Sequence, residues 1–211
     1  MTYSNSEEFA NVVTHGLAFI VSLLAFFYLI GVMPLELSIS QKASIIIYGL
    51  SLMLMFLSST LYHAVINPLI KQILKRLDHC SIYLLIAGTY TPILTIIIPG
   101  TISTLILLTV WIMAAVGIVF KVFFIGRFKK ISIGFYLAMG WLSVLLINKI
   151  FQNLGFSGIF LILAGGVAYS AGVVFYINKR VPFNHALWHC FVIVGAFIHF
   201  YFIAKNVLFV I

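Results

Sequence analysis

The chain has 211 residues, of which 64% are hydrophobic and only 8% are charged, and its mean hydropathy is +1.22. Soluble globular domains carry about 25% charged residues, so this composition excludes that class and predicts an integral membrane protein. The formal net charge is +8. Because the basic residues are few and lie between apolar segments, we expect contact with membrane lipids and no nucleic-acid partner.

Seven apolar segments follow one another along the chain, at approximately residues 12–33, 43–65, 80–98, 102–123, 132–148, 157–177 and 185–204. A bilayer core requires about 20 apolar residues per helix, and these lengths match. No segment alternates with the two-residue period of a membrane β-strand. No cleavable signal pattern precedes the first segment, which we therefore take as a membrane helix. The sequence thus predicts an all-α integral membrane protein, a seven-transmembrane helix bundle in which residues 1–211 form a single domain.

The basic residues predict how the bundle is oriented. Most lie after the second, fourth and sixth segments, namely Lys71, Lys75, Arg76, Lys121, Arg127, Lys129, Lys130, Lys179 and Arg180. The opposite side has only Lys42, Lys149 and Lys205. Because cytoplasmic loops carry the excess of Lys and Arg, we expect a cytoplasmic N-terminus, an outside C-terminus and a multi-pass protein of the plasma membrane.

Three histidines and an aspartate fall at segment ends on that cytoplasmic side. His63 ends the second segment, Asp78 precedes the third, and His185 and His189 begin the seventh. His185 and His189 are four residues apart and share one helix face, a spacing that suits two ligands of one metal. Three imidazoles suit Zn²⁺ and leave a fourth position for water, which favours a catalytic site. The alternative is that these are interfacial histidines bonded to lipid headgroups or water.

Two further side chains could take part in chemistry at this level. Asp78 could ligate the metal, deprotonate a water held there, or form an ion pair with Lys75 or Arg76. Ser59 lies one turn before His63, where it could polarise a substrate carbonyl. Membrane-helix serines also commonly bond the carbonyl four residues back, so both interpretations stay open.

The sequence leaves the roles of the remaining polar residues open. Glu8, Asn11 and His15 form one stripe on the first helix, either a second shell around the site or an ordinary interfacial helix start. We leave the roles of His15, His79 and His199 open, although packing with a hydrogen-bond partner is expected for His199. The two cysteines adjoin candidate ligands in sequence and face other directions, so we expect them to be small packing residues: Cys80 and Cys190.

Two segments contain features that shape the middle of the membrane. Pro92 should bend the third helix and free backbone carbonyls. Small residues between Ala164 and Gly172 permit close helix contact or widen an internal cavity that could hold a lipid substrate.

Several motifs together resemble those of the hemolysin III family, within the progestin and adiponectin receptor superfamily. They are Ser59-x3-His63, the run from Asp78 to Pro92, His185-x3-His189 followed by His199-Phe200-Tyr201, and the start Glu8-x2-Asn11-x3-His15. The resemblance covers essentially the whole chain. The short loops resemble the bacterial form, which implies the inner membrane of a bacterium.

The resemblance implies a zinc ion on the cytoplasmic side, held by His63, His185 and His189, with Asp78 in contact through water and Ser59 beside it. It also implies a function, a metal-dependent hydrolase of a lipid amide or ester similar to a ceramidase. The alternative is a non-enzymatic pore-forming, haemolytic or membrane-homeostasis protein in which zinc is structural. Sequence alone does not decide whether the protein is an enzyme, and it gives no oligomeric state.

Overall fold

The computed structural model describes residues 3–208, and these residues form helices joined by short connections. The helices are α1 (Asn5–Gly31), α2 (Ile39–Ala64), α3 (Pro68–Pro92), α4 (Thr101–Phe124), α5 (Lys129–Trp141), α6 (Ile147–Ile177) and α7 (Asn184–Leu208). A π-helical turn (Ile93–Ile97) follows α3, and a 3₁₀ segment (Leu142–Leu146) joins α5 to α6. The prediction of an all-helical protein is therefore confirmed for the described residues.

The first three helices begin at capping residues that can be read in the sequence. Ser4 and Glu7 form a capping box at the start of α1, and Ser38 and Gln41 form another at the start of α2. Each pair satisfies two backbone N–H groups that the first helical turn leaves free. Asn67 accepts hydrogen bonds from the backbone of the first turn of α3. These caps fix where the helices start at the membrane surface.

Helix α3 begins twelve residues earlier than the apolar segment that predicted it, at Pro68 instead of residue 80. Proline is favoured in the first helical turn because its missing N–H would be unpaired there anyway. The early turns carry basic residues such as Lys71 and Lys75, so a search for continuous apolar sequence misses them. As a result, Asp78 lies within α3 and not ahead of it.

The far end of α3 changes its winding at Pro92. The ring removes one backbone N–H donor, and the chain continues in the wider π turn. Ile98 N–H then donates to Ile93 O at 2.9 Å. The predicted disturbance at Pro92 is thus a change of helix type at the end of α3.

Within the described residues, six helical stretches are long and apolar enough to cross a membrane, and one of them, Lys129–Ile177, has 49 residues. Gly155 interrupts this stretch with φ 62° and ψ −159°, a backbone conformation that glycine adopts at little cost. Large apolar side chains cover the outside of the bundle, among them Leu24, Phe27, Ile112, Phe123 and Phe160. A surface of this kind fits contact with lipid.

The most extensive helix contacts pair α1 with α2, α2 with α3, and α6 with α7, and α1 also packs on α7. Close approach of α2 and α3 depends on Gly88, because a Cβ there would lie 2.2 Å from Ser51 Oγ. These contacts bring the start of α1, the end of α2 and the start of α7 together at one end of the bundle.

Candidate metal centre

Three histidines from two helices meet at that end. His63 comes from the last turn of α2, and His185 and His189 come from the first two turns of α7. One ring nitrogen of each lies within 4.8 Å of those of the other two. His63 and His189 are buried, whereas His185 is partly exposed. The structure therefore brings together the three residues that the sequence selects as ligands.

The separation of two of the ring nitrogens fits a tetrahedral ion. His63 Nε2 and His185 Nε2 are 3.2 Å apart. Nitrogen ligands lie about 2.0–2.1 Å from Zn²⁺, so two of them on a tetrahedral ion are about 3.4 Å apart. Neutral imidazoles are also the donor type that Zn²⁺ accepts readily. By distance and by chemistry, the cluster could hold a metal ion.

Helix α1 orients His63 through a carboxylate. Glu8 Oε2 lies 2.5 Å from His63 Nδ1, and Glu8 Oε1 accepts from Lys71 Nζ at 2.9 Å. Asn11 Nδ2 is also 3.4 Å from His63 Nδ1. An ionised carboxylate can only accept, so the ring carries its proton on Nδ1 and presents the Nε2 lone pair towards His185. This is the tautomer that a metal ligand at Nε2 requires.

Thr14 of α1 orients His189 in a similar way. Its hydroxyl oxygen lies 2.9 Å from Ala10 O and 3.0 Å from Asn11 O. A hydroxyl has one hydrogen, and donating it to these carbonyls leaves Thr14 Oγ1 to accept from His189 Nδ1–H at 3.0 Å. His189 then also presents its Nε2 lone pair. Two of the three rings are thus set by hydrogen bonds from the same helix.

Aromatic rings enclose the remaining sides of the cluster. His15 stacks on His189 with ring centroids 3.5 Å apart and an interplanar angle of 12°. Tyr3 stacks on His185 at 5.1 Å, and Tyr176 lies 5.8 Å from the same ring. Both nitrogens of His15 are buried without a hydrogen-bond partner in the described residues. The stripe Glu8, Asn11 and His15 therefore faces the histidine cluster and not the membrane surface.

A cavity of about 420 Å³ adjoins the cluster. His185, His189, Ser59 and Asp78 all line it. The Asp78 carboxylate is paired with His79, whose Nδ1 lies 3.0 Å from Asp78 Oδ2. It pairs with neither Lys75 nor Arg76 in the described residues, so the alternative of an ion pair with one of these bases is not seen there.

The other residues considered in the sequence lie away from the cluster. His79 faces Asp78, and His199 Nε2 donates to Ile162 O at 3.2 Å, as expected for a packing histidine. Both cysteines are free thiols, and neither belongs to the cluster.

Sequence reasoning missed two residues at this centre. Thr14 is one of many threonines and carries no pattern of its own. Its position next to His15 in the polar stripe of α1 is the one signal that could have identified it. Tyr3 precedes α1, where no helical periodicity predicts which way a side chain points.

Comparison with known proteins agrees with this architecture. Residues 3–200 match the family model described as "Haemolysin-III related". The chain is 41% identical to Hemolysin-3 of Bacillus cereus, over 99% of this chain and 95% of the relative. It is 42% identical to the Hemolysin-3 homolog of Bacillus subtilis (strain 168), over 92% and 91%.

A human protein is also similar. The monocyte to macrophage differentiation factor of Homo sapiens is 32% identical over 78% of this chain and 71% of its own length. The bacterial relatives and the apolar helices are consistent with a protein of a bacterial plasma membrane. The family match extends over nearly the whole helical bundle, and the chain is therefore a multi-span membrane protein that belongs to the haemolysin-III-related family.

Proposed function

We propose that the protein is a zinc-dependent membrane hydrolase that acts on a lipid amide or ester. The observation that carries the proposal is that His63, His185 and His189 meet beside a cavity of about 420 Å³ lined by Asp78 and Ser59. The three histidines would hold the ion, and a tetrahedral site with three protein ligands keeps one position open. When bound, zinc supplies a Lewis acid that polarises a carbonyl and lowers the pKa of water to about 7.

The chain's own residues would handle the proton and the developing charge. Asp78 accepts a proton from the attacking water, and His79 Nδ1, 3.0 Å from Asp78 Oδ2, lies beside the carboxylate. The water oxygen bonds to the carbonyl carbon, the bond from that carbon to nitrogen or oxygen breaks, and Asp78 passes the proton to the leaving group. Ser59 donates a hydrogen bond to the oxyanion. Glu8 and Thr14 keep His63 and His189 in the binding tautomer.

We further propose seven membrane spans, with the metal centre on the cytoplasmic side and the C-terminus outside. A helix of 49 residues would be about 74 Å long, more than twice the bilayer core. Lys129 and Lys179, at its two ends, line the same cavity. Lys149, near its middle, donates to Pro99 O at 2.6 Å at the opposite end of the bundle. These contacts support two crossings that meet near Gly155.

The test is metal content and fatty acid release by the purified protein in detergent, for a panel of amide and ester lipids. We expect about one zinc per chain and measurable release. His63→Ala should lose both metal and release. Asp78→Asn should keep the metal but lose about 10²–10⁴-fold in rate, as expected when a general base is removed. If the protein with its full zinc content turns over none of the lipids, the hydrolase proposal is wrong.

A second candidate function is favoured by the names of the Bacillus relatives. Hemolysin-3 of Bacillus cereus, similar over 99% of this chain, is named for lysis of red cells, and a pore-forming activity would need no chemistry at the metal. In that case zinc would tie α2 to α7 as a structural ion. Leakage of dye from liposomes that survives in His185→Ala and His189→Ala would support this candidate, and absence of leakage with the wild type would eliminate it.

A further inference from the structure

Five lysines line the mouth of the cavity beside the histidine cluster. Lys75 lies on α3, Lys121 on α4, Lys129 and Lys130 on α5, and Lys179 between α6 and α7. The chain has four acidic residues in all. Asp78 is the one acidic residue on the cavity wall, and it is already paired with His79. The wall therefore carries a large excess of positive charge.

Lys121 differs from an ordinary surface lysine. It is only 3% exposed, and within residues 3–208 its ammonium forms no ion pair and no hydrogen bond. The side chain lines the cavity, and its Nζ lies 5.8 Å from the centre of the Tyr136 ring. An ammonium that faces a narrow cavity from a buried side chain is costly to keep charged unless water or an anion in the cavity compensates it. A buried lysine without a partner that lines a cavity is therefore a reason to look for an anionic ligand.

The walls change from basic to apolar along the length of the cavity. On α3 the lining runs from Lys75 through Asp78 to Ile82 and Ile86, at the spacing of one helix face. On α5 it runs from Lys129 and Lys130 through Tyr136 to Leu137 and Gly140. Each wall is thus basic at the mouth, polar at the level of Asp78 and mostly apolar beyond it, where Thr89 and Tyr90 are the polar residues of α3.

The cavity is long but narrow. Both His185 and His199 line the cavity, and their separation along α7 is about 21 Å. Its volume of about 420 Å³ lies in the lower part of the range for small-molecule sites, about 300–1,000 Å³. Such a space suits one acyl chain and not the two chains of a bilayer phospholipid.

We propose that the substrate is a single-chain amphiphile whose polar half carries an anion, a phosphate or a carboxylate, held by the lysines at the mouth. This inference rests on the proposed function, because it places the scissile carbonyl between the anion and the acyl chain, at the level of Asp78. Lys121 contacts the anion inside the mouth, and Lys179 contacts it from the rim. The product that leaves towards the mouth would then be the charged half, and the fatty acid would occupy the apolar part.

The test compares two probes that differ by one phosphate, lysophosphatidic acid and a monoacylglycerol with the same acyl chain. Equilibrium binding is measured to the protein in nanodiscs of phosphatidylcholine alone, so that the bilayer contributes no anionic lipid. We expect lysophosphatidic acid to bind at least tenfold more tightly, because a hydrogen bond between charged groups gains about 1.5–3 kcal/mol. Lys121→Gln should remove about tenfold from that affinity and leave monoacylglycerol binding unchanged.

The matched control is Lys42→Gln. Lys42 donates to Leu35 O near the start of α2, away from the cavity, and its replacement makes the same change in net charge. Equal binding of the two probes, or equal loss in Lys42→Gln and Lys121→Gln, would overturn the inference. So would inorganic phosphate that binds as tightly as lysophosphatidic acid, because the site would then recognise a free anion. An unfolding temperature for Lys121→Gln at or above that of the wild type excludes a folding defect as the cause.

The binding result is separable from the hydrolase proposal. His63→Ala removes a metal ligand but no lysine, so it should retain the preference for the charged probe. Preference without turnover in the zinc-loaded wild type would refute the hydrolase and support the anion site. Turnover of amide or ester lipids with no preference for the charged probe would support the hydrolase and refute the anion site.

Discussion

Replacement of Glu8 by glutamine tests how much a charge next to the proposed ligand His63 contributes to the affinity for zinc. Glu8 accepts from His63 Nδ1 at 2.5 Å and also pairs with Lys71 at 2.9 Å. Glu8→Gln keeps an amide oxygen that can accept the same hydrogen bond but removes the negative charge. His63 then presents a less basic nitrogen to the metal, so we expect weaker zinc binding without loss of the site.

The size of the effect follows from the contact. A hydrogen bond to a charged group contributes about 1.5–3 kcal/mol when buried. The Glu8 side chain is 21% exposed and shares its charge with Lys71, so the lower part of that range applies. About 1.5–2 kcal/mol corresponds to about 10–30-fold in the dissociation constant of zinc. This agrees with the loss of about 10–100-fold that is usual for second-shell partners of metal-bound histidines.

The assay is competition for zinc between the purified protein and a chromophoric chelator of known affinity. Glu7→Gln is the matched control, because Glu7 is adjacent in sequence and its carboxylate accepts from Ser4 at the start of α1, whereas no bond from it to the three histidines is seen in residues 3–208. Lys71→Gln removes the other partner of Glu8 and tests whether the effect arises from that ion pair. If Glu7→Gln weakens zinc binding as much as Glu8→Gln, the carboxylate does not act through His63 and the reasoning fails.

Three further outcomes are expected. Metal analysis should find a large loss of zinc when each ligand is changed to alanine, but no loss in His199→Ala, whose ring bonds Ile162 O; equal metal in all variants would exclude the site at His63, His185 and His189. Gly88→Ala should lower the free energy of unfolding by about 1–3 kcal/mol, because its Cβ would meet Ser51 Oγ, whereas Gly134→Ala, with open space around it, should not. Thermal unfolding in detergent checks this pair, and equal stability of the two variants would contradict the packing argument. Lys121→Met should raise the unfolding temperature in the absence of ligand, because it removes a buried unpaired charge; a lower temperature would mean that Lys121 has a partner.

The sequence predicts the helical architecture well because the membrane imposes one period and one length on every spanning segment. It predicts that three histidines come together because His185 and His189 share one face and His63 ends a segment on the same side. It fails at the start of α3, where basic residues such as Lys71 and Lys75 break the apolar pattern while Pro68 and Asn67 still start a helix. Apolarity and helix propensity are separate properties, and an apolar pattern reports only the first.

Tertiary details could not be predicted from periodicity. Thr14 orients His189 only because α1 packs on α7, a contact between residues 175 positions apart in the chain. Likewise, the basic residues after the second, fourth and sixth apolar segments predict an orientation, but nothing in their order indicates that Lys121 lines a cavity beside the histidines. Both facts depend on which helices are neighbours.

The position of the cavity is the main argument for catalysis over a structural metal. A structural zinc ion is usually enclosed by four protein ligands, whereas here three histidines meet at the edge of a space that extends along α7 to His199. A metal that served only to join α2 and α7 would need no such space, and no carboxylate and hydroxyl such as Asp78 and Ser59 on its wall. The hydrolase and structural proposals therefore differ most at Asp78. Asp78→Asn should leave a structural site and its stability nearly unchanged, but it should abolish turnover if the metal and the cavity work together.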